Sequence, residues 1–558
     1  MRCLSILVAC LLCGSVAEAQ YLFRTRSSTF STRYGQIITQ IGDVDLDTVP
    51  DVAITIGTGA VDIFSTRTAR RLRRQQGTGG WAVAPAGDLD GDGRADIVTG
   101  DAGASFNGPS SGTVYVISAL TGAVLRQFNG DSSFDNMGYA ASGGFDVDGD
   151  GVPDVVGGAY ADNGNGFASG CVRVWSGATS VELYTLFGDS AGDWFGRKLL
   201  MVPDVDGDGL ADLIVSAPKD DNAGADSGMV RMFSGATGAI LWGFDGWAPG
   251  DQLGQSFAWI GDVDADGFGD VAVGAPLSDL GGPDFGACVV LSGGSGSVLQ
   301  TRTGAASGDN FGVSVAGGRD IDGDGALDLA VGANLNDDAG ANAGCAYLYG
   351  GVFGGLIQTL RGFAAGDQMG FTVAMLEDSN QDLLADFSVC AGFADYGAND
   401  SGAVYDLALR CPNASTYCTA KVNSLGCAPV LGTDGSPSLS SNGGFRILGK
   451  GFLNNQPGFL LYGVSGPAAI PFQGGLLCVG PPVNLGPNLL SSGSPPPMQD
   501  CSGSYSFDFN AYAFSGAGAV QIHYPGTAVW AQWWSRDTGF PAPNDSSLSN
   551  AARFVMCL

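Results

Sequence analysis

One aspartate pattern recurs seven times along the chain and restricts the fold more than any other feature of the sequence. Each copy has the form Asp-x-Asp-x-Asp-Gly-x-x-Asp or a close variant of it. The copies begin at Asp43, Asp88, Asp146, Asp204, Asp262, Asp320 and Asp378, so that the first interval is 45 residues and the next five are 58 residues each. A fixed period of this length is typical of proteins whose units bury their faces only against neighbouring units.

Each repeat also contains four short apolar runs. In the unit from residue 194 to residue 246 they read RKLLMV, LADLIVSA, GMVRMFSG and AILWGF. Runs of this length that are rich in β-branched and aromatic side chains, and bounded by Gly, Asp, Asn or Pro, are typical of β-strands. Four strands per unit and seven units predict an all-β fold, namely a seven-bladed β-propeller.

The seventh unit ends at GAVYDLALR, directly before Cys411, and lacks a fourth apolar run. The segment YLFRTRS, residues 21–27, precedes the first unit and has the pattern of a strand. We therefore expect this segment to complete the last blade and to close the ring. The propeller is expected to span residues 20–410.

The aspartate loops are rich in oxygen donors. The side chains at positions 1, 3, 5 and 9 and the backbone carbonyl at position 7 supply hard oxygen ligands, and the Gly after position 5 permits a sharp bend. Ca²⁺ accepts six to eight such oxygens in flexible geometry, whereas Mg²⁺ prefers fewer protein ligands. The Glu that helix-flanked calcium loops carry at position 12 is absent from every copy. We therefore expect calcium loops that lie in β-hairpins, between the first and second strands of each unit.

Five loops match the pattern in full, and in the first loop Thr48 replaces the Gly. The sequence predicts five to six Ca²⁺ sites. The predicted ligands of the five full loops and of the first loop are Asp88, Asp90, Asp92, Arg94 and Asp96; Asp146, Asp148, Asp150, Val152 and Asp154; Asp204, Asp206, Asp208, Leu210 and Asp212; Asp262, Asp264, Asp266, Phe268 and Asp270; Asp320, Asp322, Asp324, Ala326 and Asp328; and Asp43, Asp45, Asp47 and Asp51. In the seventh loop Asn380 replaces one carboxylate and Leu383 replaces the Gly, so metal binding by the first and seventh loops stays open.

The charge of the chain is strongly negative. Its 558 residues include 56 Asp and Glu and 25 Lys and Arg, which gives a formal net charge of −31. This charge disfavours nucleic acid and anionic membrane surfaces as partners. Because the loops hold 27 of the acidic residues, bound cations would relieve much of the repulsion.

The N-terminal segment MRCLSILVACLLCGSVAEAQ has an early Arg, an apolar stretch and an Ala17-Glu18-Ala19 cleavage pattern. We expect a signal peptide over residues 1–19 and a protein that is secreted or held at the cell surface. Lipidation of Cys10 is an alternative. No later window approaches the ~20 apolar residues of a spanning helix, so we expect no membrane span.

The period stops at Cys411, and residues 411–558 form a Cys-rich region. The six cysteines of this region are Cys411, Cys418, Cys427, Cys478, Cys501 and Cys557. We expect three disulfides, with Cys418–Cys427 and Cys411–Cys557 as the pairs suggested by proximity and by the ends of the domain.

Alternating apolar residues in this region, at 504–514 and 529–534, predict strands of a smaller β-sandwich-like domain. We expect most of its aromatic side chains to fill its core. Four further cysteines are candidates for buried free thiols in propeller strands: Cys171, Cys288, Cys345 and Cys390.

Two short motifs accompany each aspartate loop. An aromatic or apolar residue followed by Gly precedes the loop, as in Phe195-Gly196, and a small-residue triplet follows it, as in Ser216-Ala217-Pro218. Over residues 20–410 the combined pattern resembles the FG-GAP repeat of integrin α-subunit propellers. The resemblance implies structural Ca²⁺ in the hairpins of one face and ligands or partner subunits on the opposite face. Loops of that opposite face include Ala161–Ser169, Lys219–Ser227, Ser278–Asp284 and Asn334–Ala343.

The sequence contains no convincing catalytic set. His523 is the only histidine, which excludes His-rich catalytic zinc sites. Two Gly-x-Ser-x-Gly strings, at 108–112 and 188–192, lie in predicted propeller loops rather than at a strand-to-helix turn. We therefore expect no enzyme, and predict an extracellular binding or adhesion module for a protein or glycan ligand.

Two alternatives stay open. One is a calcium-dependent polysaccharide lyase or glycosidase that acts on acidic glycans through spare loop carboxylates such as Asp220 and Asp284. The other is an architectural component of an envelope or matrix.

Overall fold

The computed structural model describes most of the chain. The described residues are 21–27, 34–57, 59–68, 70–379, 384–395, 401–408, 415–434, 437, 444–495, 499–523, 527–542 and 544–556. The expected signal peptide, positions 380–383 of the seventh loop, and the expected pair Cys411–Cys557 lie outside these residues. Two compact units are present, a larger one built mainly from Thr25–Ser379 and Leu384–Asp406 and a smaller one built mainly from Leu407–Leu558.

The first twenty-eight strands form seven four-stranded sheets. In chain order they are β1 (Tyr21–Ser27), β2 (Ile38–Gln40), β3 (Val52–Ile56), β4 (Ala60–Phe64), β5 (Arg71–Gln76), β6 (Ala82–Gly87), β7 (Asp96–Asp101), β8 (Thr113–Ile117), β9 (Val124–Asn129), β10 (Ala140–Gly143), β11 (Val155–Ala159), β12 (Cys171–Trp175), β13 (Glu182–Phe187), β14 (Lys198–Val202), β15 (Asp212–Ala217), β16 (Met229–Phe233), β17 (Ile240–Asp245), β18 (Ser256–Gly261), β19 (Asp270–Ala275), β20 (Ala287–Leu291), β21 (Val298–Thr303), β22 (Phe311–Arg319), β23 (Asp328–Ala333), β24 (Cys345–Tyr349), β25 (Leu356–Arg361), β26 (Met369–Leu376), β27 (Asp386–Ala391) and β28 (Ala403–Ala408).

Six of these sheets take four consecutive strands in chain order, β2–β5, β6–β9, β10–β13, β14–β17, β18–β21 and β22–β25. The four apolar runs between residues 194 and 246 correspond to β14–β17, which pair antiparallel. The seventh sheet has the order β26-β27-β28-β1, so that the strand at residues 21–27 lies at its outer edge. The all-β, seven-bladed propeller is confirmed.

The first strands of the blades form a closed ring. β2, β6, β10, β14, β18, β22 and β26 contact one another in this order, and β26 contacts β2. Adjacent blades are also joined by backbone hydrogen bonds, such as the one that the Phe195 N–H donates to the Ser169 carbonyl at 3.1 Å. The equivalent bond from the Tyr34 N–H to the Ser401 carbonyl, also at 3.1 Å, joins the last blade to the first.

The core of the propeller lies between the blades. Val156 and Val172 of one blade share a buried cluster with Leu213 and Val215 of the next blade. All six residues of β15 are buried, whereas in β17, at the outer edge of the same blade, only Trp242 is buried and the other residues are exposed or half-buried. Each such Val or Leu stabilises the ring by roughly 1.5–3 kcal/mol, but only if the neighbouring blade is present.

The smaller unit is also built mainly of strands. They are β29 (Ser415–Tyr417), β30 (Val430–Asp434), β31 (Arg446–Phe452), β32 (Pro457–Gly463), β33 (Pro467–Phe472), β34 (Gly475–Val479), β35 (Asn484–Leu485), β36 (Leu489–Leu490), β37 (Gly503–Asp508), β38 (Ala528–Arg536) and β39 (Ser546–Val555), with helix α1 (Phe509–Phe514) and a 3₁₀ helix at Val520–His523. One sheet has the order β29-β39-β38-β32-β35, and a second has the order β30-β31-β37. Both sheets contribute to one core around Trp533, which supports a sandwich-like arrangement.

The expected strand at residues 504–514 is wrong in its second half. Residues 509–514 form α1, and the Asp508 side chain caps this helix by accepting the Ala511 N–H at 2.9 Å. Phe509 and Ala513 are buried on one face of α1. The sequence pattern was ambiguous because apolar residues four positions apart share a face in a helical turn as well as in a strand. The expected strand at 529–534 is confirmed within β38.

The expected pair Cys418–Cys427 is wrong. The disulfides among the described residues are Cys418–Cys478 and Cys427–Cys501, each with Cα atoms 6.4 Å apart. Proximity in sequence was a poor guide, because β34, which pairs with β33 in a separate two-stranded sheet, packs against β38 and β39 of the sheet that contains β29.

The four propeller cysteines are buried and free, as expected. Burial raises the pKa of the Cys288 and Cys345 thiols to about 12, so both remain protonated and unreactive.

The aromatic side chains of the smaller unit divide between its core and its surface. Trp533 and Tyr505 are buried, whereas Trp530 and Trp534 are half-buried. Trp534 stacks on Phe459 with ring centroids 4.6 Å apart.

Among the described residues, no helix reaches the length and apolarity that crossing a membrane requires.

Candidate metal centres

The aspartate loops lie where the sequence predicts them, between the first and second strands of each blade. In the fourth blade the loop Asp204–Asp212 joins β14 to β15, which pair directly as a β-hairpin. The other loops repeat this arrangement at the same end of the ring. No helix flanks any loop in the described part of the propeller.

The first aspartate of each loop organises the backbone. The two carboxylate oxygens of Asp204 accept the N–H groups of Gly207 at 2.6 Å and Gly209 at 2.8 Å. Both glycines have positive φ, 84° and 89°, which L side chains rarely adopt. The Gly in the motif is therefore required by the bend that turns these N–H groups towards the carboxylate.

The aspartates at positions 3 and 5 of the full loops point towards solvent. Asp206 and Asp208 are exposed, and each uses one oxygen to accept a backbone N–H, at 3.1 Å and 2.8 Å respectively. In each full loop the residue at position 7 donates its N–H to the aspartate at position 5, at 2.8–2.9 Å. The donors are Arg94, Val152, Leu210, Phe268 and Ala326. The second oxygen of Asp206 and of Asp208 is directed away from these backbone bonds and is free to meet a cation.

The aspartate at position 9 of each loop is buried and has a structural role that the sequence does not reveal. One oxygen of Asp212 accepts the Val205 N–H at 2.7 Å, and the other accepts the Gly235 N–H at 3.0 Å. Gly235 lies between β16 and β17, so this carboxylate ties the loop to the second hairpin of its blade. Burial raises the pKa of this residue to about 6 in six loops, at Asp51, Asp96, Asp154, Asp212, Asp270 and Asp328.

Positions 1, 3 and 9 converge. In the first three loops one carboxylate oxygen from each of these positions lies within 4.8 Å of the other two, in the groups Asp43, Asp45, Asp51; Asp88, Asp90, Asp96; and Asp146, Asp148, Asp154. Oxygens at this separation repel one another unless a proton or a cation lies among them. The nearby loop charges add to burial in raising the pKa of Asp96 and Asp154.

The first loop contains an orphaned oxygen. Oδ1 of Asp45 is buried and has no hydrogen-bond partner. A buried carboxylate oxygen without a partner is costly, and a cation held by Asp43, Asp45 and Asp51 would satisfy it. Although Thr48 replaces the Gly here, its φ of 74° reproduces the bend.

Two further carboxylate groups lie at the opposite end of the blades. The sequence pointed to Asp220 as a spare loop carboxylate but did not predict the grouping. The groups are Asp131, Asp135, Asp162 and Asp189, Asp193, Asp220. Each group already contains a cation, because Arg173 pairs with Asp131, and Arg231 pairs with Asp189 at 2.6 Å. Their signal was the Gly-Asp-x-x-x-Asp string that recurs 58 residues apart, at Asp131 and Asp189.

The metal-free protein is expected to become more stable on mild acidification. In the folded state, the pKa of the buried aspartate at position 9 is about 6, above the ordinary value of about 3.9. The folded state therefore binds more protons than the unfolded state between these values, and the free energy of unfolding falls as pH rises through this window. With EDTA present, the melting temperature at pH 5 should exceed that at pH 7.5 by roughly 5 °C.

Differential scanning calorimetry at these two pH values measures this effect. The calcium-loaded protein is the control, and the difference should shrink or reverse in it, because a cation stabilises the charged carboxylates. A melting temperature that rises from pH 5 to pH 7.5 in EDTA would contradict the assignment.

Comparison with known proteins agrees with this geometry. The model of the FG-GAP repeat matches residues 79–117, 195–231, 253–291 and 311–349. The chain is 31% identical over 223 residues to integrin alpha-5 of Xenopus laevis (36% of this chain, 20% of the relative), and 33% identical over 223 residues to integrin alpha-PS2 of Drosophila melanogaster (36% and 15%). It is 35% identical over 160 residues to integrin alpha-11 of Homo sapiens (26% and 13%). The chain thus spans a fifth or less of the length of these relatives.

Proposed function

Since this chain is an FG-GAP repeat protein that is similar to integrin α subunits, we propose that it is a secreted or surface-held, calcium-binding propeller that acts as an extracellular binding or adhesion module. The observation that carries the proposal is the division of the closed ring into two ends. One end holds the aspartate loops, and the other end presents the exposed loops between the second and third strands.

The donor set supports Ca²⁺ as the ion. Each full loop offers four carboxylates, at positions 1, 3, 5 and 9, and a carbonyl at position 7. These five hard-oxygen donors reach the six to eight oxygens that Ca²⁺ takes when a carboxylate binds through both oxygens or water completes the shell. The first loop joins the five full loops because of the buried, unpartnered Oδ1 of Asp45. Six sites follow. Calcium would supply charge neutralisation and hold the first hairpin of each blade in place.

Exposed aromatic side chains support a binding role for the opposite end of the ring. Phe106, Phe134 and Phe167 lie in loops at this end and are 58%, 62% and 82% exposed. Large aromatic residues of this kind are typical anchors in interfaces, because they bury much area at small entropic cost. A folded secreted protein gains nothing in stability from leaving them in water.

A catalytic role for the spare carboxylates is not favoured. Asp131 and Asp189 are held in ion pairs by Arg173 and Arg231, and Asp220 and Asp221 accept backbone N–H groups within their own turn. These bonds are those of loop scaffolding. A binding module accounts for the same residues without a reaction.

An array of extracellular matrix proteins and glycans, probed with the whole secreted chain, tests the proposal. We expect saturable binding in millimolar calcium that weakens at least tenfold in EDTA. Changing Phe106, Phe134 and Phe167 together to Ser should abolish it. The matched control is Phe353→Ser, since Phe353 is 56% exposed in the β24–β25 loop, at the end of the ring that holds the aspartate loops. An array without any ligand would refute the binding role and leave the architectural alternative.

A further inference from the structure

Four aromatic rings from three adjacent blades form a continuous row at the end of the ring opposite the aspartate loops. Trp81 and Tyr139 have ring centroids 5.4 Å apart, Tyr139 and Tyr160 4.7 Å, and Tyr160 and Trp194 5.5 Å. Trp81 and Tyr139 directly follow the motif glycines of two blades, and Trp194 precedes the Phe195-Gly196 motif of a third, so the packing of adjacent blades brings the rings together. We call these four residues, with Arg197 and Lys219, the Arg197 patch.

The Arg197 guanidinium lies on this row. Its central carbon is 3.8 Å from the centroid of Tyr139, 5.0 Å from that of Tyr160 and 5.5 Å from that of Trp194. The Lys219 ammonium lies 4.5 Å from the Trp194 ring centroid. Cation–π contacts hold a guanidinium by its flat face and leave the N–H groups at its edge free to bind an anion.

Within the described part of the chain, Arg197 lacks the carboxylate partner that Arg74 and Arg231 have. Arg74 meets Asp62 at 2.6 Å, and Arg231 meets Asp189 at 2.6 Å. For Arg197, the ion pairs among the described residues include no carboxylate. Burial lowers the pKa of Arg197 to about 10.

Lys198, the first residue of the inner strand β14, is exposed. In a chain of net charge −31, Arg197, Lys198 and Lys219 bring three basic residues to this end of the ring. Asp226 lies 3.5 Å from Lys219, and Asp193 and Asp220, which adjoin Trp194 and Lys219 in sequence, lie at the same end.

Trp194 occupies a strained backbone position. Its φ is 61°, and the equivalent residues of other blades, Asn136, Asn310, Gln252 and Gln368, have φ between 52° and 60°. Asn tolerates this region far better than a bulky aromatic residue. Because the other blades fold with an amide residue here, packing alone does not require the Trp, and strain of this kind points to a role in function.

We propose that the Arg197 patch binds a glycan whose sugar ring carries a carboxylate. The apolar face of the sugar would lie against an aromatic ring, for which Trp81 is 54% exposed. The carboxylate would meet the N–H edge of Arg197, which suits bidentate binding of a planar anion. The patch holds two cations, Arg197 and Lys219, within an acidic protein, so it favours isolated charges over a dense polyanion such as nucleic acid.

This inference rests on the proposed function and names the ligand class for the same end of the ring. The probes are oligosaccharides of hyaluronan, alginate and galacturonan, each paired with its methyl ester, which keeps the sugar and removes the charge. Affinity is measured by calorimetry on the whole chain in calcium. We expect at least one acid to bind at least tenfold more tightly than its ester.

Three variants locate the site. Arg197→Gln and Trp194→Asn should each weaken the acid at least tenfold, and the Asn is the residue that other blades carry at this position. Arg361→Gln is the control, since it removes an exposed Arg of another blade and should change nothing.

Four results would overturn the proposal: no acid binds, acid and ester bind equally, either patch variant binds as the wild type does, or a thymidine oligonucleotide binds more tightly than every sugar. If protein ligands bind on the array while all the acids fail here, the binding role stands and the glycan assignment fails. If neither binds, both fail.

Discussion

Removal of calcium by EDTA is expected to lower the melting temperature of the propeller by roughly 10 °C at neutral pH. A site with a dissociation constant of ~0.1 mM contributes roughly 1.4 kcal/mol at ~1 mM calcium. Five or six such sites therefore contribute about 7 kcal/mol, which is comparable to the whole net stability of many domains. Without the ion, the converging carboxylates of each loop also repel one another.

A single loop shows whether this effect belongs to the predicted ligands. Asp206→Asn with Asp208→Asn removes two exposed donors of the fourth loop but keeps an oxygen for each backbone hydrogen bond. In calcium the variant should melt a few degrees lower than the wild type. In EDTA it should melt at the same temperature or slightly higher, because two repelling charges are gone.

The matched control removes two exposed carboxylates from the opposite end of the ring. Asp221→Asn with Asp284→Asn changes the net charge equally and should leave the difference between calcium and EDTA unchanged. Equal destabilisation of the Asp206 and Asp208 variant in both conditions would show that these side chains support the fold without a metal. Substitution of Asp212 would not separate the two roles, because its carboxylate ties two hairpins together.

The repeat period was sufficient to predict the strands and the blade number, because every blade presents the same pattern to the same neighbour. Residues 204–212 and their equivalents form hairpin loops as expected, since the motif contains its own bend and its own capping carboxylate. The structural bond from Asp212 to Gly235 joins residues 23 apart, and no local pattern predicts it.

Contacts between distant segments account for what the sequence did not yield. The row from Trp81 to Trp194 exists only because the ring places three blades side by side. The pair Cys418–Cys478 depends on the packing of two separate sheets of the smaller unit. Residues 509–514 fit a helical and an alternating pattern equally well, and Asp508 decides between them by capping the helix.

Gly274→Ala is expected to cost about 3 kcal/mol, at the upper end of the range for overpacking. A Cβ atom at Gly274 would lie 1.9 Å from the Gly312 carbonyl oxygen of the next blade. The same approach occurs at Gly100, to the Gly138 carbonyl at 1.9 Å, and at Gly332, to the Gly370 carbonyl at 2.0 Å. A backbone carbonyl cannot move aside as a flexible side chain can.

Because the ring is closed, displacing one blade also strains the contacts of the others, and the cost should appear in urea unfolding as a lower midpoint with an unchanged slope. Gly355→Ala is the control, since an added Cβ there meets no atom within 4 Å, and it should change stability by less than about 0.5 kcal/mol. The fourth blade carries Ser216 at the position of Gly274. A cost below about 1 kcal/mol would therefore mean that the blades adjust their spacing independently, and that closure does not hold them in register.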